Sequence, residues 1–260
     1  MEIGAEFWPF FAVGAVAQLI DGALGMGYGV ISSTALLSLG VPPANVSASV
    51  HTAKVFTGAA SAISHAAHLN VDGKLLLRLS AGGIFGALLG TYVLTSIDGD
   101  KLRLPIVIWL GIMGLAILWR AWKSAPPRMT TWMKPLPLGF AGGFFDSVGG
   151  GGWGPVVTSS LLGTGSDPRK AIGTTNAAEF FVALSVSVGF LIAIVSGHWD
   201  ATGLADQFWS VAGLIAGGAI TAPIAGWTTK VLPIRALTWA VGLLVVALTA
   251  WQAVSIFLQS

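Results

Sequence analysis

Four ionisable residues lie inside long apolar runs: Asp21, Lys54, Asp146 and Glu179. A charged side chain near the centre of a bilayer costs about 2.5 to 3.5 kcal/mol on insertion scales, so each is a functional candidate unless a partner neutralises it. Asp21 opens "DGALGMGYGV" and Asp146 opens "DSVGGGGWGP". In both, a glycine-rich run follows the acid, and an aromatic residue, Tyr28 or Trp153, stands seven positions later. Lys54 and Glu179 each fall about ten residues into an apolar run, roughly 15 Å along a helix and so near mid-bilayer. Two chemistries fit them: a structural ion pair, or direct action on a substrate and on protons. In the second, Lys54 faces an anion and Asp21, Asp146 and Glu179 exchange protons. Around them lie His51, Thr52, Thr174, Thr175 and Asn176, a polar stripe able to donate hydrogen bonds to an oxyanion. Each of these five could instead cap or back-bond within its own helix.

A repeat relates these groups. Shifting the sequence by 125 residues places Asp21 on Asp146, Gly25 on Gly150, Gly27 on Gly152, Tyr28 on Trp153, and "ASVHTAKVF" on "GTTNAAEFF". "GALLG" (residues 86–90) resembles "APIAG" (222–226) once an insertion near "SGHWDATGLADQF" is allowed, although small residues there also suit plain helix packing. Residues 1–125 and 126–260 therefore form two membrane repeats. Each has a glycine-broken segment followed by three long apolar segments, near 44–69, 74–96 and 103–122, and again near 168–196, 204–229 and 233–257.

The chain is 54% hydrophobic and 9% charged, where a soluble domain carries roughly a quarter charged residues. It is expected to be an all-α integral membrane protein. Its N-terminus has two glutamates and no basic residue before the first apolar run, unlike a signal peptide. The absence of cysteine excludes thiolate metal sites, disulfides and thiol catalysis. His65 and His68 lie one turn apart without an acidic or third imidazole partner nearby, so no metal and no cofactor are expected. The basic residues are spread between apolar runs, which points to membrane lipid rather than nucleic acid.

Charge distribution sets the topology. If each broken segment crosses once, the lysines and arginines between segments divide evenly. If the broken segments are re-entrant hairpins, Lys74, Arg78, Arg120, Lys123, Arg128, Lys134, Arg169, Lys170, Lys230 and Arg235 share one face, with only Lys101 and Arg103 opposite. That asymmetry is what a cytoplasmic face shows. The expected architecture is an inverted repeat of six crossings and two re-entrant hairpins, with both termini outside. Glycines at 25, 27, 150 and 152 then let the chain reverse inside the membrane. The helix after each tip would aim its free N–H groups and positive dipole end at the midplane, attracting an anion.

"DGALGMGYGV", "SASVHTAKVFTGAASAISH", "DSVGGGGWGPVVTSSLL" and "IGTTNAAEFF" resemble the TauE/SafE family of sulfite and organosulfonate exporters, over essentially the whole chain. Thr52-Ala53-Lys54 stands where some relatives carry Thr-Asn-Lys. The resemblance implies a permease of the bacterial inner membrane with a small sulfur-containing anion, sulfite or a sulfonate, as its substrate. The expected substrate-binding residues are Gly25, Gly27, Tyr28, His51, Thr52, Lys54, Gly150, Gly152, Trp153, Thr174, Thr175 and Asn176. Asp21, Asp146 and Glu179 are the expected proton-coupling residues. An anion channel is the alternative, and a membrane-embedded enzyme a more distant one, because no nucleophile and base stand at catalytic spacing. Three acids against one lysine leave a formal charge of about minus two around an anion site, which bound protons would offset.

Overall fold

A computed structural model of the chain describes residues 3–122, 134–163, 166–224, 227 and 234–259. Lys123, Arg128 and Lys230 of the charge count and Gly226 of "APIAG" lie outside the described residues, as do the ends of the expected segments at 225–226, 228–229 and 233. Among the described residues the regular structure is all helical. In chain order the helices are α1 (Phe7–Leu24), α2 (Tyr28–Ser38), α3 (Pro43–Ala67), α4 (Gly73–Ser96), α5 (Gly99–Trp122), α6 (Pro135–Gly149), α7 (Ser159–Gly163), α8 (Pro168–Val195), α9 (Phe208–Thr221) and α10 (Ile234–Gln259). A π-helical turn, Gly154–Thr158, leads into α7.

Local chemistry sets the boundaries. Pro43 and Pro168 open α3 and α8 at the first helical position, where a missing N–H costs nothing. Asp72 caps α4 through the N–H groups of Lys74 and Leu75, and Asp167 caps α8 through that of Lys170. The Leu75 and Lys74 N–H groups hold the exposed Asp72 carboxyl below its ordinary range. α1 and α6 end on Gly25 and Gly150, at φ 67° and 69°, a left-handed conformation that glycine adopts without strain.

Among the described residues six stretches are long and apolar enough to span a membrane: α1, α4, α5, α8, 205–224 around α9, and 238–258 within α10. The number equals that of the expected crossings; by apolar composition α1 qualifies and α3 does not. α3 spans 25 residues but carries Ser47, His51, Lys54, Thr57, Ser61 and His65 at three- and four-residue spacing, all buried, and this polar stripe lowers its hydropathy. α1, expected as half of a hairpin, has 18 residues and membrane length. α6, at 15 residues, rises about 22 Å and falls short of a 30 Å core.

Helices before residue 125 pack on helices after it. α1 packs on α9 as α6 packs on α4, while α3 lies against α8 and α5 against α10. Glycine seams bring the backbones together. A β-carbon at Gly82 or Gly86 would strike the carbonyl oxygen of Leu136 or Phe140, and one at Gly213 or Gly217 that of Phe7 or Phe11. Gly139 meets Leu79 as Gly14 meets Leu214, and Gly82 meets Leu136 as Gly217 meets Phe11. The seam thus pairs Leu79 with Leu214 and Gly82 with Gly217, an offset one residue shorter than matching "GALLG" to "APIAG" requires.

Contacts between loops define the two ends of the molecule. Asn45 donates to the Thr202 carbonyl at 3.1 Å, and Ser96 meets His198 at 2.9 Å, which groups residues 45, 96 and 198–202. The Lys170 ammonium reaches the Val71 carbonyl at 3.3 Å, and the Asp72 N–H donates to Thr174 Oγ1 at 2.9 Å, which groups residues 71–72 and 170–174 at the other.

Candidate functional site: a buried ion cluster between crossed loop tips

The two glycine loops meet backbone to backbone. A β-carbon at Gly29 would lie 2.6 Å from the Gly150 carbonyl oxygen, so only glycine allows this approach. Ser33 Oγ donates to the Gly150 carbonyl at 2.8 Å, and Thr158 Oγ1, 125 positions later, donates to the Gly25 carbonyl at 2.6 Å. Thr158 Oγ1 also lies 2.9 Å from Thr175 Oγ1.

Each repeated aspartate closes its own loop. Asp146 Oδ1 accepts the N–H groups of Gly152 at 2.8 Å and Trp153 at 3.1 Å, and Asp21 Oδ1 accepts that of Tyr28 at 3.4 Å. The helix starts that the sequence assigns to a substrate oxyanion are therefore occupied by the protein's own carboxylates in this state. The aromatic residues beside them are anchors: Trp153 Nε1 donates to the Thr175 carbonyl at 3.0 Å and the Tyr28 hydroxyl to the Leu214 carbonyl at 3.2 Å.

α3 and α8 bring the remaining charges in. Lys54 Nζ lies 2.7 Å from Asp146 Oδ2 and 2.6 Å from Glu179 Oε1. His51 Nε2 lies 3.1 Å from the same Asp146 oxygen. Its Nδ1 lies 2.8 Å from the Ser47 carbonyl oxygen and 3.2 Å from the Ser47 hydroxyl. Beside the cluster is a cavity of about 10 Å³, lined among others by Gln18, Asp21, Tyr28, Lys54, Asn176 and Glu179. It has room on the scale of one water and none for a sulfonate.

Not every expected residue joins the cluster. Thr52 is exposed and back-bonds to the Ala48 carbonyl at 2.7 Å, because it sits on the face of α3 opposite the polar stripe. Thr174 is buried but holds the Asp72 N–H at the α3–α4 loop. Thr175 belongs to the loop crossing, bonded to Thr158 and to the Ala171 carbonyl. Asn176 does line the cavity, held by Ser61 at 3.2 Å and the Ile172 carbonyl at 3.1 Å. His65 is buried, with Nδ1 accepting from Asn70 at 3.3 Å. The sequence reading missed Gln18, Ser33, Ser47, Thr57, Ser61 and Thr158. Ser33 and Thr158 could have been found as hydroxyls at matching repeat positions, and Ser47, Thr57 and Ser61 by their helical spacing from His51 and Lys54.

Six membrane-length apolar stretches among the described residues and an ion cluster buried where two broken segments cross define a multi-pass membrane protein with a polar centre. The chain belongs to the sulfite exporter TauE/SafE family, whose model matches residues 10–251. It is similar to the probable membrane transporter protein YtnM of Bacillus subtilis (strain 168), 42% identical over 229 residues that cover 85% of this chain and 74% of that protein. No solved structure matches the chain. Family and relative make it a membrane transporter.

Proposed function

We propose that the protein is a secondary transporter of the bacterial inner membrane that exports a small sulfur oxyanion, sulfite or an organosulfonate, together with a proton. The observation that carries this reading is Lys54, a buried ammonium held between Asp146 and Glu179 beside a cavity that both halves line. The family description supplies the anion class. For an anion to take Lys54, Glu179 must give it up, and a proton on Glu179 removes the competing charge. A monovalent anion and that proton then enter as a neutral pair, which lowers the cost of carrying charge through a low-dielectric path. Asp146 stays in place, held by His51 and two backbone N–H groups, as the fixed anchor of Lys54.

The repeats 1–125 and 126–260 are assigned as an inverted pair around this site. Reciprocal helix pairing and the matched bonds from Ser33 to Gly150 and from Thr158 to Gly25 support that assignment. The contact between Lys170 and Val71 supports re-entrant loops, because a single crossing by each broken segment would send those residues to opposite faces. The end bearing Lys74, Arg169 and Lys170 is assigned to the cytoplasm, with both termini outside. Alternating access then requires the crossed tips to part on one side at a time.

Proteoliposomes loaded with methanesulfonate, whose charge is independent of pH, test the reading. Flux should respond to a pH gradient at clamped membrane potential and saturate with substrate. Flux that follows the anion's own electrochemical gradient and ignores the pH gradient would mean a channel.

A further inference from the structure

Arg120 is a cation the ion cluster does not use. It stands near the C-terminal end of α5, partly buried, and no carboxylate lies within ion-pair distance among the described residues. Its Nη1 donates to Ser159 Oγ at 3.1 Å and lies 3.9 Å from Met26 Sδ, as does Ser159 Oγ. Three elements meet here: α5, the loop after α1, and the start of α7. A guanidinium offers five N–H donors in a planar fork, and among the described residues a single hydroxyl and a thioether leave most of them uncommitted. Two oxygens of a sulfite or sulfonate match that fork, as carboxylates and phosphates do.

The other half has no such charge. The residue matching Ser159 one repeat earlier is Thr34, and there Gln252 of α10 donates to the Thr34 carbonyl at 2.8 Å, with its Oε1 unpartnered among the described residues. One returning segment therefore meets a cation and the other a neutral amide. A fixed positive charge on one side only makes anion recognition sided.

We infer that Arg120 and Ser159 form a second oxyanion-binding subsite, on the same end of the molecule as residues 71–72 and 170–174, where the anion docks on its way to or from Lys54. The identity of the anion as a sulfonate or sulfite rests on the transport reading above; the existence of the subsite does not. The test is thermal stabilisation of the purified full-length protein by methanesulfonate, sulfite, sulfate and phosphate, for wild type, Arg120→Gln, Arg120→Lys and Ser159→Ala. Arg120→Gln should weaken the stabilising anion at least tenfold, and Arg120→Lys, which keeps charge without the fork, about threefold, with melting of the ligand-free protein unchanged. In proteoliposomes the half-saturating concentration should rise on that face and stay within twofold on the other. Equal affinity in wild type and Arg120→Gln overturns the subsite, and so does an absence of stabilisation by every oxyanion. Stabilisation by sulfate or phosphate alone, lost in Arg120→Gln, keeps the subsite and removes sulfite and the sulfonate as its ligands. Where Arg120→Gln does not fold, modification of wild-type Arg120 by phenylglyoxal decides: methanesulfonate should slow it at least threefold relative to Arg78 and Arg103, and an unchanged rate, or no modification at all, overturns the proposal.

Discussion

Lys54 Nζ lies 2.6 Å from Glu179 Oε1, and the two residues stand 125 positions apart, the spacing that also relates Asp21 to Asp146. The pair is a direct contact between α3 and α8 and, through Asp146, reaches α6. Lys54→Met removes the charge, keeps much of the stem and strands two buried carboxylates, at a cost of about 3 to 5 kcal/mol. The expected outcome is a low yield and a lower melting temperature, with sulfonate binding lost. Glu179→Gln added to it should recover part of the lost stability and leave binding absent, because it neutralises one of the two stranded carboxylates while Lys54 stays missing as a substrate ligand. Recovery of both would assign Lys54 a structural role alone. Undiminished binding in the single variant would remove Lys54 from the site.

The pair was half legible in the sequence. Two opposite charges at the same repeat position, mid-way along apolar runs, carry enough cost that a meeting was one of two open readings. That Asp146 joins them was not legible, because a third partner 92 positions from Lys54 depends on how two loops cross. Thr52 misled for a local reason: it neighbours His51 in sequence but points about 100° away around the helix. The repeat gave α1 the same role as α6, and the structure gives the two helices different lengths, of which only that of α1 reaches membrane length.

The repeated aspartates should differ in sensitivity. Asp146 accepts two N–H groups and faces Lys54 and His51, whereas Asp21 accepts one N–H at 3.4 Å and has no ion-pair partner among the described residues. Asp146→Asn turns an amide NH₂ toward either two backbone donors or the Lys54 and His51 side. It should destabilise by about 3 kcal/mol or more, against about 1 kcal/mol for Asp21→Asn. Thermal melting of both variants measures the contrast, and equal losses would contradict the bond pattern at Asp146.

The loop crossing makes a prediction about backbone. Gly29→Ala puts a β-carbon against the Gly150 carbonyl, where neither partner is a flexible side chain. The tips must separate, at a cost of about 1 to 3 kcal/mol. Ser33→Ala and Thr158→Val each remove one hydroxyl that satisfies a tip carbonyl, for about 1 kcal/mol apiece. Because both act on one junction, the double variant should depart from additivity by at least about 0.5 kcal/mol. Additive losses would mean that the tips respond independently and the crossing is not one mechanical unit.

Topology is open to a direct test because the chain has no cysteine. Leu39 and Asp200 are expected on the outer face, and Leu69 and Arg169 on the inner one; all four are exposed. In intact cells an impermeant maleimide should label Leu39→Cys and Asp200→Cys and spare Leu69→Cys and Arg169→Cys until the membrane is opened. The decisive comparison is Leu39 with Arg169, because each follows the returning segment of a broken loop: α2 in the first half, the π turn and α7 in the second. If each loop turns back on its own side and the halves are antiparallel, these two positions label from opposite faces. Labelling of both from one face would remove the inverted repeat, and the paired loop ends from which Arg120 and Lys54 draw their sidedness would need a different account.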